Sequence, residues 1–171
     1  VTWGTSDKEL RVVGTNIDIT ERKQAELAIR QHARQQGLIA AFGQQALAST
    51  DLEELWNQVA TVASQGLNID FCKILLITLD GRSFILKAGL GWQEGWIGRQ
   101  ICTIDENTQN RFALLSGEPV IVEDFRTETR FTPSEILRTH DIRSGVGVLI
   151  SGTNGSSGIL GAYSRETLHF T

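Results

Sequence analysis

Hydrophobic and polar residues alternate near the start of the chain. In the segment LRVVGTNIDIT (10–20), Val13, Ile17 and Ile19 share one parity, while polar residues hold most of the other. This is the pattern of a strand with one buried face. A two-stranded remnant buries too little apolar area to be stable in water by itself. We therefore expect residues 1–20 to be the end of an upstream domain.

Helical spacing replaces the alternation after Thr20, which is a good N-cap residue. Residues 21–48 contain no proline and are rich in Ala, Gln, Glu, Arg and Leu. They predict a helix of about 28 residues, about 42 Å long. A narrow seam of small or branched residues recurs along its first half: Ala25, Ile29 and Ala33. We expect this seam to pair with a second copy and the wider apolar face after Gly37 to pack against a domain.

Two further elements are predicted in residues 50–91. Thr50-Asp51 can cap an amphipathic helix that ends near Gly66. The segment FCKILLITL (71–79) is nearly continuous in apolar residues, which predicts a central strand. Asp80-Gly81 then predicts a tight turn into the strand SFILKAGLG (83–91).

The second half of the chain predicts shorter elements. Trp92 and Trp96 bracket a glycine-rich turn, a helix over 107–116 ends at Gly117, and Pro119 opens a short strand. A helical turn over 133–140 and the strands SGVGVLIS and GILGAYS follow. This order predicts an α+β fold, in which a mostly antiparallel sheet has long helices on one face and short helices or loops on the other. We expect a further helix after residue 171.

Composition narrows the range of functions. The chain has 171 residues with 16 Lys and Arg against 20 Asp and Glu, a net charge of −4, which argues against nucleic-acid binding. No apolar run approaches the roughly 20 residues that span a bilayer, so no membrane insertion is expected. The chain has no Met, so we take it as part of a longer polypeptide. Cys72 and Cys102 lie in apolar stretches and are expected to be buried and reduced, as in a cytoplasmic protein.

No catalytic or metal-binding pattern is present in the sequence. His32, His140 and His169 lie in different predicted elements without metal-ligand spacing, so no metal site is expected. A phosphate-binding glycine loop and a nucleophile elbow are also missing. We therefore expect residues 1–171 to have no enzymatic activity of their own.

The first resemblance to a known family lies in LRVVGTNIDITERKQAE (10–26). This segment resembles the C-terminal end of a PAS domain, the PAC motif, with its Asp-Ile-Thr-Glu-Arg-Lys signature. The resemblance implies a bacterial sensor protein with domains in series and a dimeric connecting helix. It suggests a division into PAS strands (1–20), a connecting helix (21–48) and a second domain (49–171) that lacks its last helix.

That second domain is similar to GAF domains, the sensing modules of histidine kinases and related proteins. One segment on which this resemblance rests follows the pattern Gly-x-Pro-Val-x-Val-x-Asp. The matching residues here are Gly117, Pro119, Val120, Val122 and Asp124. A second is Arg143-Ser144, which stands before the penultimate strand. The resemblance implies a GAF-like fold and a histidine kinase whose catalytic domain lies outside residues 1–171.

The GAF resemblance also implies a ligand pocket between the sheet and residues 92–143. The expected lining combines aromatic walls with polar contacts: Trp92, Trp96, Phe112, Asp124, Phe125, Arg126, Phe131, His140, Arg143 and Ser144. In the alternative interpretation the aromatic residues only fill the core, Asp124 caps a turn and Arg143 pairs with a carboxylate.

The cofactor is unknown. A covalent bilin is not expected, because Thr132 and Pro133 stand where the resemblance would require a thiol. The Asn-Lys-x-Phe-Asp type motif of cyclic-nucleotide-binding members is also missing.

We expect the chain to be the sensor and dimerisation segment of a two-component histidine kinase, a homodimer through residues 21–48. Its other partners would be neighbouring PAS and output domains and a small molecule. Two alternatives remain open: an enzyme of the free methionine sulfoxide reductase type, and a ligand-free structural spacer.

Overall fold

The structure is a computed structural model that describes residues 18–48, 51–152 and 157–170. The chain divides into two compact units, Val1–Ala33 and Arg34–Thr171. Apart from residues 18–20, the strand and PAS remnant predicted for the first 20 residues lie outside the described part of the chain. The division at residues 20 and 48 therefore stays a prediction.

Helix α1 (Thr20–Ala48) confirms the predicted long helix. Its cap differs from the prediction, because Thr20 is the first helical residue and its backbone N–H donates to the Asp18 carboxylate (2.9 Å). The backbone carbonyl of Ile19 accepts from Lys23 (3.0 Å). A carboxylate two residues before the helix can satisfy the first free amide, so the hydroxyl of Thr20 is not needed for capping.

Helix α2 (Leu52–Leu67) begins as predicted and ends later than predicted. The side chain of Asp51 accepts from the backbone N–H groups of the second and third helical residues, at 2.8 and 3.3 Å. Gly66 was the wrong end residue, since Asn68 closes the helix in the left-handed conformation (φ 52°). Asparagine tolerates that conformation better than most residues do, so a glycine was not required.

The described residues contain six strands and two short helices in the second half of the fold. They are β1 (Phe71–Ile77), β2 (Ser83–Leu90), β3 (Gln100–Thr103), α3 (Gln109–Ser116), β4 (Val120–Val122), α4 (Glu135–Thr139), β5 (Ser144–Ser151) and β6 (Ser157–Ser164). The strands form one sheet in the order β3-β2-β1-β6-β5-β4, and every neighbouring pair is antiparallel. The predicted α+β fold and the central position of β1 are confirmed.

Strand β3 was missed by the sequence pattern. It pairs with the start of β2 at the edge of the sheet. Only Ile101 and Cys102 of its four residues are buried, and the two residues that flank them are polar. Four residues are too few to show a period of two, so its pairing is visible only in three dimensions.

Both faces of the sheet are covered. Cys72 and Ile74 of β1 pack with Ala60 of α2 on one face. Phe71 and Leu75 belong to a larger core that includes residues of α3 and α4. Because β1 is buried on both sides, its sequence is nearly continuous in apolar residues.

The turn after β2 directs Trp92 towards the core. Gly91 has φ of 82°, and a Cβ atom there would collide with the backbone carbonyl of Asp70. Only glycine fits this position without strain. The indole Nε1–H of Trp92 then donates to the backbone carbonyl of Cys72 (2.7 Å), which anchors the ring against β1.

Candidate functional site

Three of the predicted ligand-binding residues form an aromatic cluster, which we define as Trp92, Trp96 and His140 together with Phe71 and Tyr163. The ring of Trp92 lies 5.0 Å from His140 and 5.1 Å from Phe71, centroid to centroid. Trp96 lies 5.8 Å from His140 on another side. Edge-to-face rings at these distances are favourable contacts in a packed core. The aromatic side chains therefore contact one another.

His140 is buried, with 2% of its surface exposed, and both of its ring nitrogens are occupied. Nε2 accepts from the backbone N–H of Gln93 (3.0 Å), and Nδ1 lies 2.8 Å from the backbone carbonyl of Ile136. A carbonyl can only accept, so Nδ1 carries the proton. No lone pair is left for a metal, and the ring instead joins α4 to the segment after Trp92.

A second group of predicted residues lines an open cavity of about 550 Å³. We call this cavity the arginine groove, and its lining is Phe125, Arg126, Pro133, Arg138, Asp141, Ile142, Arg143 and Arg165. Four arginines and one aspartate, Asp141, belong to this lining, and a second carboxylate, Asp124, lies beside it and pairs with Arg126. A protein of net charge −4 thus presents a locally positive surface here.

Two of the four arginines are held in place. Arg126 forms an ion pair with Asp124, and its backbone N–H also donates to that carboxylate. These hydrogen bonds hold the pKa of Asp124 well below its usual value, at about 2. Arg165 donates from Nε to the backbone carbonyl of His140 (3.0 Å), and its guanidinium lies 4.9 Å from the ring centroid of Phe71.

The other two arginines of the groove are not held by side-chain contacts. Among the described residues, the side chains of Arg138 and Arg143 have neither a hydrogen bond nor an ion pair. The backbone of Arg143 is well fixed, because its carbonyl accepts from Phe125 (2.7 Å) and its N–H donates to Ser164 (2.9 Å). The described residues thus show no close ion pair of Arg143 with a carboxylate, of the kind that the alternative interpretation suggests, although Arg143 makes a small electrostatic contribution to the lowered pKa of Asp124.

The remaining predicted residues lie elsewhere. Ser144 donates from its hydroxyl to the carbonyl of Glu166 (2.6 Å) and accepts from the N–H of Leu168 (3.2 Å), so it holds the C-terminal segment. Phe112 and Phe131 pack on each other at 5.6 Å, and the Arg130 guanidinium lies over both rings. The ten predicted residues thus occupy several separate places.

A group of polar residues that was not predicted lies inside the domain. We call it the buried polar cluster and define it as Lys73, Cys102, Gln109, Asn110 and Tyr163. Tyr163 donates from its hydroxyl to Gln109 Oε1 (3.0 Å), and Asn110 donates from Nδ2 to Cys102 Sγ (3.3 Å). All five residues are at most 3% exposed.

Lys73 is the exceptional member of this cluster. Its side chain is fully buried, its Nζ has no hydrogen-bond partner in the described part of the chain, and Nζ lies 4.6 Å from the ring centroid of Tyr163. Burial lowers the pKa of Lys73 from 10.5 to about 8, against a smaller opposing effect of the Cys102 and Cys72 thiols. The sequence signal for Lys73 was available, since it is the only charged residue in β1.

Burial acts in the opposite direction on the acidic groups near Lys73. It raises the pKa of Cys72 to about 12 and the pKa of Tyr163 well above 10. Both groups therefore stay neutral and cannot balance the charge of Lys73. Both cysteines are free and buried, as expected.

The described ranges offer neither a metal site nor a helix that could span a membrane. These residues contain no group of three His, Cys, Asp or Glu side chains that could hold a metal ion. None of their helices is long and apolar enough to cross a membrane.

Comparison with known proteins places this geometry in context. Residues 51–171 match the GAF domain family. No curated protein matches the chain in sequence.

Several solved structures share the fold at low sequence identity. The GAF domain of a phosphoenolpyruvate-protein phosphotransferase from Coxiella burnetii has a TM-score of 0.70 and 19% identity, over 80% of this chain and 81% of that one. The free methionine-R-sulfoxide reductase of Neisseria meningitidis, solved with its substrate, has a TM-score of 0.63 and 18% identity, over 81% and 78%. A domain of a protein from Sinorhizobium meliloti that is named a putative two-component sensor histidine kinase has a TM-score of 0.52 and 18% identity. That match covers 72% of this chain and 79% of the other. These similarities show the fold alone.

Proposed function

The chain belongs to the GAF domain family, and from this premise we propose that it is the sensor and dimerisation segment of a bacterial signal-transduction protein. The parent protein would be a cytoplasmic two-component histidine kinase with its catalytic domain outside residues 1–171. Support comes from the Asp-Ile-Thr-Glu-Arg-Lys sequence (18–23) at the start of α1 and from the likeness to the sensor histidine kinase domain.

The observation that carries this proposal is the exposed apolar seam on α1. Ala25, Ile29 and Ala33 are all exposed, and Ile29 has 69% of its surface in solvent. A seam at this spacing is typical of helices that pack on a partner helix. Burial of such residues in a parallel dimer would contribute roughly 25 cal/mol per Å² of apolar surface.

The dimeric helix would also carry the signal. A small molecule bound to the GAF domain, or a change in the neighbouring PAS domain, would favour one of two packings of the paired helices. A hydrogen-bonded helix is stiff, so a change at one end reaches the other. In this scheme residues 1–171 bind and transmit but perform no catalysis.

Sedimentation analysis of Ile29→Glu tests the dimer. We expect the parent chain to be a dimer at tens of micromolar and Ile29→Glu to be a monomer, because two buried carboxylates would face each other. Leu115→Glu is the matched control, since Leu115 is an exposed apolar residue on a different helix (72% exposed). Unchanged association of Ile29→Glu would contradict the role of the helix.

The similarity to the Neisseria meningitidis reductase favours one alternative, an enzyme that acts on free methionine sulfoxide. Such an enzyme needs reactive thiols, whereas Cys72 and Cys102 are buried and the pKa of Cys72 is raised to about 12. Thiol titration combined with a methionine sulfoxide turnover assay separates the two proposals. Turnover would contradict the non-catalytic role.

The packed aromatic cluster favours a second alternative, a spacer that transmits a signal without binding a ligand. Native mass spectrometry of freshly purified protein, with an ultraviolet-visible scan, distinguishes it from a sensor. A co-purifying small molecule would argue against the spacer.

A further inference from the structure

The arginine groove lies at one end of the sheet, on the surface of the domain. β4 ends at Val122, β5 begins at Ser144 and β6 ends at Ser164, and the antiparallel pairing brings these three strand ends together. The residues that line the groove lie close to these ends in the chain or flank α4. No residue of the aromatic cluster or of the buried polar cluster lines it. The groove is therefore a different place from the expected pocket between the sheet and residues 92–143, whose aromatic residues largely pack on one another.

The groove carries a positive charge that its own carboxylates do not balance. Its lining contains four arginines and one aspartate, Asp141, and the neighbouring carboxylate of Asp124 forms an ion pair with Arg126. Four positive charges against two negative ones leave an excess of two positive charges. A ligand with two negative charges would balance this excess.

Arg138 and Arg143 supply the unbalanced charge, because their side chains have no hydrogen bond or ion pair in the described part of the chain. Both line the same cavity. Arg143 also lies close enough to Asp124 to help lower the pKa of that carboxyl, although the hydrogen bonds from Arg126 are the main cause. The unpaired guanidinium of Arg143 is thus a neighbour of the Asp124–Arg126 pair.

The backbone of both unpaired arginines is fixed without a ligand. The N–H of Arg138 donates to the carbonyl of Ser134 (3.2 Å), and its carbonyl accepts from the N–H of Asp141 (3.2 Å). Asp141 has φ of 55°, a left-handed conformation that aspartate tolerates, and it turns the chain from α4 towards β5. Two backbone hydrogen bonds of 2.7 and 2.9 Å hold Arg143. A ligand would therefore have to order only the two side chains, which lowers the entropic cost of binding.

Apolar residues complete the lining of the groove. Phe125 and Ile142 are buried and Pro133 is half-buried, whereas all four arginines are exposed. The volume of about 550 Å³ lies within the roughly 300–1,000 Å³ that is usual for small-molecule sites. The groove thus suits a ligand in which a small organic group is attached to the anion.

A phosphate ester has the charge and the shape that this lining requires. It carries about −1.5 to −2 charges at pH 7, and a guanidinium can bind two of its oxygens through parallel hydrogen bonds. A single carboxylate would leave one positive charge unbalanced. We propose that the arginine groove binds the phosphate monoester of a small organic molecule, with Arg138 and Arg143 in contact with the phosphate. This inference rests on the proposed sensor function and deepens it, because it names the ligand class.

NMR titration of ¹⁵N-labelled protein tests the charge and the shape of the ligand separately. Phenyl phosphate carries two negative charges, phenyl sulfate has the same shape with one charge, and inorganic phosphate lacks the organic group. We expect phenyl phosphate to bind at least tenfold more tightly than phenyl sulfate and several-fold more tightly than inorganic phosphate. The amide signals of residues 125–143 should shift. Equal affinities for the two esters would overturn the assignment to a doubly charged ligand.

A change of pH distinguishes the ligand's charge from that of the protein. The second proton of a phosphate monoester binds with a pKa of about 6, so a change from about pH 7.5 to about pH 5 should weaken phenyl phosphate binding about fivefold. Phenyl sulfate keeps its charge over this range and should bind equally well at both values. Asp124 also stays ionised, since its pKa is about 2. An equal loss of affinity for both esters would contradict the proposal.

Matched variants assign the binding to the groove. We expect Arg138→Gln and Arg143→Gln each to weaken phenyl phosphate binding about tenfold, because each removes a charge-assisted hydrogen bond. Arg82→Gln is the control and should change the affinity less than twofold. Arg82 is exposed in the turn between β1 and β2, at the opposite end of the sheet. Unchanged affinity in both groove variants would overturn the proposal, and if one variant does not fold by circular dichroism, the other decides.

The source of the phosphate is tested with a short phosphoserine peptide. If this peptide binds at least tenfold more tightly than phenyl phosphate, the ligand is a phosphorylated protein and the small-molecule source is wrong. No binding of phenyl phosphate at about 10 mM would remove the site altogether. Sedimentation of the same samples separates this failure from that of the proposed function, because a dimer without phosphate-ester binding contradicts only the ligand site.

Discussion

The arginine groove and the buried polar cluster both gather positive charge, but under opposite conditions. The four arginines of the groove are exposed to solvent, and Asp124 and Asp141 lie among them. Lys73 is fully buried, its Nζ has no hydrogen-bond partner among the described residues, and its ammonium lies 4.6 Å from the ring centroid of Tyr163.

The comparison shows that the surroundings of a charge, rather than the number of charges, decide its energetic cost. Water screens the guanidinium groups of the groove, so their mutual repulsion is small. The ammonium of Lys73 has lost its hydration without gaining a counterion, and burial is the main cause of its lowered pKa.

The largest expected effect is a gain in stability on removing the buried charge. The drop in the pKa of Lys73 from 10.5 to about 8 corresponds to a loss of about 3 kcal/mol in the free energy of unfolding. The cation–π contact of Lys73 with Tyr163 offsets about 1 kcal/mol of this loss. We expect Lys73→Met to raise the free energy of unfolding of the ligand-free protein by about 2 kcal/mol at pH 7, measured by urea denaturation.

Lys87→Met is the control for this prediction, because it removes the same charge from a partly exposed position of β2. Its unfolding free energy should stay within about 0.5 kcal/mol of wild type. A loss of stability in Lys73→Met would show that the ammonium is compensated inside the domain and would remove the contrast between the two regions.

A smaller effect is expected from pH. Below pH 8 Lys73 is protonated in both the folded and unfolded states, so the full cost is present. Between pH 8 and 9 the folded protein releases this proton while the unfolded chain, with a pKa of 10.5, keeps it. Stability should therefore rise by about 1 kcal/mol over this range, measured by urea denaturation at each pH.

Above pH 9 two effects oppose each other. The unfolded thiol of Cys72 ionises, whereas burial keeps the folded thiol protonated up to about pH 12, but the unfolded chain still keeps the Lys73 proton up to about pH 10.5. The rise in stability should therefore level off above pH 9, and stability should fall only above about pH 10.5, where the Cys72 effect alone remains. Lys73→Met should lack the rise between pH 8 and 9, and an identical rise in that variant would assign it to another group.

The smallest effect is expected in the groove. Arg143→Gln removes a guanidinium that has no hydrogen-bond or ion-pair partner among the described residues, while its backbone contacts with Phe125 and Ser164 remain. Thermal unfolding should give a stability within about 0.5 kcal/mol of wild type. A larger loss of stability would show that the guanidinium of Arg143, like the ammonium of Lys73, has a substantial effect on the free energy of unfolding.

Local patterns predicted much of the fold. The apolar run of β1, the Asp80-Gly81 turn and the Asp51 cap all depend on neighbouring residues, and each appears where expected. Strand β3 was missed because four residues carry too little periodicity. The Gly66 end was wrong because Asn68 offered an equally suitable local solution.

The candidate site was less predictable than the fold. Phe125, Arg126 and Arg143 do line one groove, but Trp92 and His140 pack into the core and Ser144 holds the C-terminal segment. Residue type and order do not tell which of several polar or aromatic side chains turn towards the same space. Lys73 was overlooked because a lysine in a strand usually reaches solvent with its terminal amine.

The sequence by itself determined the element types, the antiparallel α+β class and the membership of the GAF family, since these depend on periodicity and on short motifs. The dimeric role of Ala25, Ile29 and Ala33 stays a prediction from the same pattern. Only the tertiary structure decided which side chains lose contact with water. Desolvation depends on everything packed around an atom, and Tyr163 of β6, which is distant in the chain, lies against the buried ammonium of Lys73 in β1.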